Sequence, residues 1–279
     1  MEIIKSIFYG LIQGFTEFLP VSSSGHIALL NGIVGLPFED ESVGLLLYTL
    51  ILHLGSLTAV FIIFFKDIKK LFFSFFSLMA KIFTGKFNYK TLNSGERFVI
   101  LVFMATLPLI IGALISKQIE ILAEWPKIIG VFLIINAVIL FFSDMIPNGD
   151  LTEKTATPQN AIFVGLCQLI AVAPGISRMG ATVTGGLLNG FNRQTAVKFS
   201  FIMSIPAILG ASVFKFADFV KSDAEITGTM IGMCITGFIF AFAAGIIAIV
   251  LLNMIARKKN FTVFSIYCLI VGLLALIFG

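Results

Sequence analysis

The 279 residues are 58% hydrophobic and only 12% charged, with 31 phenylalanines against four tyrosines and one tryptophan, whereas a soluble domain is nearer half apolar and a quarter charged. That balance excludes a soluble enzyme and a disordered tail protein, and it makes lipid the solvent for most of the chain. The net charge of +4 sits mainly between apolar blocks without aromatic interleaving, so it carries topology and argues against nucleic acid as a partner.

In chain order, the first apolar region runs from 3 to 34 and is interrupted by PVSSSG at 20 to 25. Its longer arm, Ile3 to Phe18, would be about 24 Å as a helix, and a hydrocarbon core needs about 20 helical residues to cross. The region is therefore predicted to be a re-entrant helical hairpin with its tip at membrane depth, where irregular backbone survives only beside protein or a wet cavity. An early acid, a polar second half and the lack of a small-residue cleavage site argue against a removable signal peptide. Spans are predicted at approximately 43 to 65, 97 to 116 and 128 to 147. Between the first two, LFFSFFSLMAKIF reads as an interfacial helix, with a seventh span as the competing reading. A second interrupted region, 160 to 190, breaks at PGISRMG, 174 to 180. Spans follow at 196 to 216, 228 to 252 and 261 to 279. Cys167, Cys234 and Cys268 lie in apolar segments without metal-ligand spacing and read as small buried hydrophobes.

The order is hairpin and three spans, twice. The predicted fold is an all-α polytopic membrane protein, one membrane domain over 1–279 built as an inverted repeat of halves 1–150 and 151–279, each a re-entrant hairpin plus three transmembrane helices. Pro20-x-x-Ser23-x-Gly25 is echoed by Pro174-x-x-Ser177, with Gly180 one residue later. Thirteen of the nineteen Lys and Arg lie on the face holding 66–97, 148–159, 191–198 and 253–260, against five on the other: Lys5, Lys117, Lys127, Lys215 and Lys221. The bias puts the first face in the cytoplasm and both termini outside.

Ionisable residues at membrane depth are functional by default. Glu17 and His26 flank the first tip and Arg178 lies in the second. Gln13 and Glu17, four apart, share a helix face. Ser22, Ser23 and Ser24 suit the N-cap of a new helix, whose free N–H groups make an anion site. Gly175, Ser177, Arg178 and Thr182 repeat the arrangement with a guanidinium fork suited to phosphate oxygens. Ser22 and Ser24 are equally explained as groups that satisfy freed backbone, while a purely structural partnership of Arg178 with Glu17 is the lesser reading. His26, three residues from Ser23, is within reach of it on one helix face. His53 stands open between a supporting and a structural role, and Asp144 and Lys198 lie near enough to segment ends to snorkel.

These segments resemble the two signature motifs of the bacterial undecaprenyl-diphosphate phosphatase family, the bacitracin-resistance family: QGFTEFLPVSSSGH at 13 to 26 and PGISRMGAT at 174 to 182, with HLGSLTAV at 53 to 60 in support. The resemblance covers essentially the whole chain. It implies an integral enzyme of the bacterial cell membrane that removes the terminal phosphate of undecaprenyl diphosphate, recycling the lipid carrier for peptidoglycan synthesis and conferring bacitracin resistance, with a site open to the external face. It also implies support by a divalent cation, Mg2+ or Ca2+, for which Glu17 is the candidate ligand. Gln13 stands where many members have a Glu, and Met179 where a Ser is common. The catalytic set expected is Glu17, Ser23, His26 and Arg178, with Ser22, Ser24, Gly175, Ser177 and Thr182 on the phosphates and Gln13 and His53 in support. Ser23 is the favoured nucleophile with His26 as its base; attack by His26 or by water activated by Glu17 stays open. The partners expected are a polyprenyl diphosphate and membrane lipids, with a homodimer left open. A secondary transporter or lipid flippase is the alternative from another class, because broken helices in inverted repeats are transporter architecture.

Overall fold

The computed structural model describes residues 2–35, 41–221 and 226–279. In chain order the helices are α1 (Glu2–Phe18), α2 (Ser23–Val34), α3 (Glu41–Ile63), α4 (Phe65–Phe83), α5 (Ser94–Thr106), α6 (Leu109–Leu114), α7 (Ser116–Glu120), α8 (Pro126–Met145), α9 (Pro158–Ile170), α10 (Arg178–Leu188), α11 (Arg193–Val220), α12 (Gly228–Arg257) and α13 (Thr262–Phe278). Among the described residues there is no strand, only a single bridge between Leu151 and Phe191.

Helix ends follow from local chemistry. Reciprocal capping boxes start α5 at Asn93 and Glu96 and α9 at Thr157 and Asn160, each satisfying two backbone donors that the first helical turn leaves free. Asn192 and Thr227 cap the two longest helices, α11 and α12, which outrun their predicted bounds. Pro108, which lacks an N–H and crowds the preceding turn, separates α5 from α6.

Among the described residues, five stretches are long and apolar enough to cross a membrane: Gly44–Ile63, Ser94–Leu114, Pro126–Met145, Arg193–Val220 and Gly228–Arg257. Six were expected. The last, α13, is equally apolar but has 17 residues, because its start is fixed by Asp144, which accepts from the Thr262 N–H at 2.8 Å and from its hydroxyl at 2.9 Å. The seventh-span reading of 66–97 is not supported: α4 is amphipathic, with Phe72, Phe73, Phe75 and Phe76 exposed on one side, and is not among the five.

Both interrupted regions fold as a helix, a short break and a second helix. The long helices bring the breaks together. The first helix of one pair, α1, lies along α12, and the first helix of the other, α9, lies along α5; α3 packs on α11 and on α12, and α8 packs on α13. The approach of α8 to α13 is reciprocal: a Cβ on Gly130 would stand 2.7 Å from the Gly272 carbonyl oxygen, and one on Gly272 2.8 Å from the Gly130 oxygen. Lipid supplies no hydrophobic drive between helices, so close backbone contact through small residues is the stabilising device. Phe18, Phe64 and Phe201 fill the core beneath the breaks.

Candidate active site

The two breaks meet in the interior. Gly25 of α2 lies against Gly175, where a Cβ on Gly25 would come within 3.1 Å of the Gly175 Cα. Gly175 has φ 109°, a conformation that side-chain-bearing residues avoid. Ser22 is the N-cap of α2 with φ 73°; its Oγ accepts from the Gly25 N–H at 3.4 Å and from the Gly175 N–H at 3.1 Å. Ser177 caps α10 in the same way, accepting from the Gly180 N–H at 3.1 Å. Caps, rather than prolines, therefore set the correspondence between the pairs: Ser22 with Ser177 and Gly25 with Gly180, one residue off the echo of Ser23 with Ser177.

A residue that the sequence reading missed locks this junction. Asn136, fully buried in the middle of α8, donates to the Pro20 carbonyl at 2.9 Å and accepts from the Ser177 N–H at 3.0 Å. Its signal was available, as a lone amide inside an apolar span is expected to hydrogen-bond across helices.

Glu17 is the hub of the charged cluster. Arg178 Nη2 donates to its Oε1 at 2.6 Å, while Ser23 Oγ at 2.7 Å and Gln13 Nε2 at 2.9 Å both donate to Oε2. His53 donates through Nδ1 to the Thr49 carbonyl at 2.6 Å, which aims Nε2 at Glu17 Oε2, 3.7 Å away. The carboxylate and guanidinium, 161 residues apart in sequence, thus form one partly buried pair beside a serine hydroxyl.

This cluster forms the polar end of a cavity of about 790 Å³. Glu17, Ser22, Ser23, Ser24, Ser177 and Arg178 line that end, together with His53. The wall beyond is apolar and comes from α6 and α11, including Ile110, Leu114, Ala211 and Phe214, with Ser116, Gln118, Lys215 and Asp218 along it.

Several placements depart from expectation. His26 is not beside Ser23: Nδ1 bonds the Ser22 carbonyl and Nε2 the Tyr267 hydroxyl, each at 2.8 Å, and the ring stacks on Tyr267 of α13. Ser23 is the first residue of α2 and its hydroxyl turns back to α1, so three-residue spacing does not bring the two side chains together. Thr182 spends its hydroxyl on the Arg178 carbonyl at 2.8 Å, and the Gly175 N–H is taken by Ser22. Ser22 joins the tips, as in the backbone-satisfying reading. Asp144 and Lys198 do not snorkel free: Asp144 lies 3.6 Å from Arg193, and Lys198 lies 2.7 Å from Asp67.

The donor set does not fit a resident divalent cation. Both oxygens of Glu17 are engaged by the chain's own donors, and no group of three His, Cys, Asp or Glu gathers among the described residues. What the arrangement does offer is a serine hydroxyl hydrogen-bonded to a carboxylate, a guanidinium, and the N-termini of α2 and α10, all lining one cavity with apolar walls.

A helical membrane protein with that cavity and that cluster has the make-up of an enzyme acting on an anionic lipid. The model of the family described as bacitracin resistance protein BacA matches residues 6–274, and the chain belongs to that family. It is 34% identical to the undecaprenyl-diphosphatase of Methanosphaera stadtmanae over 99% of this chain and 98% of that protein. The undecaprenyl-diphosphatases of Alkaliphilus metalliredigens and Christiangramia forsetii are 36% and 37% identical, each over 100% of this chain and 99% of the relative.

Proposed function

We propose that this chain is an integral membrane phosphatase that hydrolyses undecaprenyl diphosphate to undecaprenyl phosphate and inorganic phosphate. The observation that carries the reading is the Ser23–Glu17–Arg178 cluster at the polar end of an apolar-walled cavity, in a chain aligned end to end with undecaprenyl-diphosphatases. The diphosphate occupies the cluster and the prenyl tail runs along α6 and α11.

Phosphoryl transfer asks for positioning and charge neutralisation. An arriving diphosphate takes over the Arg178 guanidinium, whose planar fork matches phosphate oxygens, and the two helix N-termini add partial positive charge. That releases Glu17 to accept the proton of Ser23, whose hydroxyl already points at it. Ser23 Oγ then bonds the terminal phosphorus as the bond to the bridging oxygen breaks and lipid monophosphate leaves. Glu17 passes that proton to the departing lipid phosphate, then takes a proton from water as the water attacks the phosphoserine; the P–Oγ bond breaks, Ser23 Oγ takes the proton back from Glu17, and inorganic phosphate is released. His26, held by Ser22 and Tyr267, orders the start of α2 on this reading, and His53 steadies Glu17. A Mg2+ or Ca2+ of the kind the family resemblance implies would be held by the substrate's phosphates rather than by a protein cage, and would supply charge neutralisation there.

The halves 1–150 and 151–279 form one membrane domain as an inverted repeat with two re-entrant pairs. Its support is the reciprocal packing, α1 on α12 against α9 on α5, with α3 on α11 and α8 on α13. The cavity runs toward Ser116 and Lys215, on the face poor in Lys and Arg, so the site opens externally, with both termini on that side and α4 on the cytoplasmic surface. The membrane is the bacterial cell membrane.

The test is phosphate release from undecaprenyl diphosphate by the detergent-purified protein. Ser23→Ala, Glu17→Gln and Arg178→Ala are each expected to lower kcat by about 10²-fold or more. Parent-level turnover in Ser23→Ala would remove serine as the nucleophile. Movement of the lipid across sealed vesicles without phosphate release would favour the transporter reading instead.

A further inference from the structure

Gln168, near the end of α9, is 1% exposed and lines the same cavity as Ser177 and Arg178. Neither its Nε2 nor its Oε1 has a hydrogen-bond partner among the described residues. Burying an amide without partners is costly, and an intact carboxamide stays unpaired in an interior only where something else completes it.

The register fixed by the helix caps says what is different about this amide. Aligning Ser22 with Ser177 and Gly25 with Gly180 also aligns Gly10-Leu11-Ile12-Gln13 with Gly165-Leu166-Cys167-Gln168. Gln13 and Gln168 are therefore equivalent positions in the two broken pairs. In the first, the residue four places on is Glu17, and Gln13 Nε2 donates to it at 2.9 Å. In the second, that place is Val172, another cavity-lining residue, whose side chain cannot accept a hydrogen bond. The same register sets Ser23 opposite Arg178. One pair thus supplies the carboxylate, its amide and the hydroxyl, and the other supplies the guanidinium and an amide with an apolar side chain at the position equivalent to the carboxylate. A ligand bringing its own anionic oxygens into the cavity fills the gap that Glu17 fills for Gln13.

We propose that Gln168 is a further diphosphate-binding residue, its Nε2 donating to a phosphate oxygen beside Arg178 and its Oε1 accepting from a water carried in with the phosphate. This rests on the reading of the cavity as a diphosphate site. A phosphate oxygen accepts and water can donate, so together they satisfy both ends of the amide.

The experiment uses the full chain purified in detergent, with inorganic pyrophosphate and farnesyl methylenediphosphonate, a non-hydrolysable prenyl diphosphate, as probes. Gln168→Met keeps the volume and removes both polar atoms. In the absence of probe its melting temperature is expected to equal or exceed that of the parent, because an unsatisfied amide has gone. Its affinity for both probes is expected to fall about tenfold, the scale of one hydrogen bond to a charged group. Gln168→Glu, which sets a carboxylate against the phosphates, is expected to fall further. A Gln168→Met protein that melts well below the parent, fails to fold, or binds both probes with parent affinity would overturn the inference. Arg178→Ala separates the two levels. If it also binds with parent affinity, the diphosphate site itself is wrong; if it loses affinity while Gln168→Met does not, only the role of Gln168 falls.

Discussion

Asn136 couples the two tips through a single carboxamide, and no other side chain touches both the Pro20 carbonyl and the Ser177 N–H among the described contacts. In Asn136→Leu both backbone groups lose that partner in the protein interior, at about 1–3 kcal/mol for each group left unsatisfied. The variant is expected to melt lower and also to release phosphate more slowly, because Ser177 precedes Arg178 and their shared backbone sets the guanidinium against Glu17. Thermal unfolding alongside kcat checks this; a lower melting temperature with unchanged kcat would mean that the junction does not position the charged pair. At this scale the ionisable residues were legible, since Glu17 and Arg178 announce themselves by being charged at membrane depth and Gln13 by lying one turn from Glu17. His26 was misread because three-residue spacing only permits a contact. The competing acceptor one turn back, the Ser22 carbonyl, and Tyr267 on a helix 241 residues away decided its direction.

Elements were legible where composition punctuates the chain. Proline, glycine and serine clusters marked both helix breaks, and uninterrupted apolar runs marked the long helices. The break at Pro108 and the short α13 were not read, the first because the apolar run continues through it, the second because its start depends on Asp144 of α8. The attachment of α4 was also invisible, as it depends on one buried acid. Glu96, inside the capping box of α5, accepts from Ser77 at 2.8 Å and pairs with Lys81 at 2.7 Å, so it fastens α4 to the start of α5. Removing Lys81 leaves the fully buried Glu96 carboxylate without its cation. A wholly buried pair would lose about 3–5 kcal/mol, but the Lys81 side chain is 33% exposed, so Lys81→Ala is expected to cost about 1–3 kcal/mol, the range for a buried group deprived of a partner. Hydrogen exchange should show α4 opening more readily while α11 and α12 keep their protection. Uniform loss of protection across all helices would show that α4 is not a separately fastened element.

The cavity belongs to the whole molecule, and no window of sequence contains it: its lining comes from α1 to α3, α5 to α7 and α9 to α11, brought together only by the packing of the two halves. That packing leaves an apolar slot next to the charged end, and on the reading above it holds the prenyl tail. Gly210 offers a way to test the slot without disturbing the fold. It lines the cavity and lies within α11, yet a Cβ built there meets nothing within 4 Å. A larger residue therefore enters open space, and replacing a helical glycine removes a backbone-entropy cost of up to about 1 kcal/mol. Gly210→Phe is expected to fold with a melting temperature at or above the parent's. Because the ring occupies the slot rather than the charged cluster, it should raise KM for undecaprenyl diphosphate several-fold while leaving kcat near the parent value. A short-chain prenyl diphosphate, with less tail to accommodate, should be affected less. Equal loss on long and short tails would place the obstruction at the diphosphate, and no loss on either would put the tail outside the slot, against the lipid-facing side of the bundle.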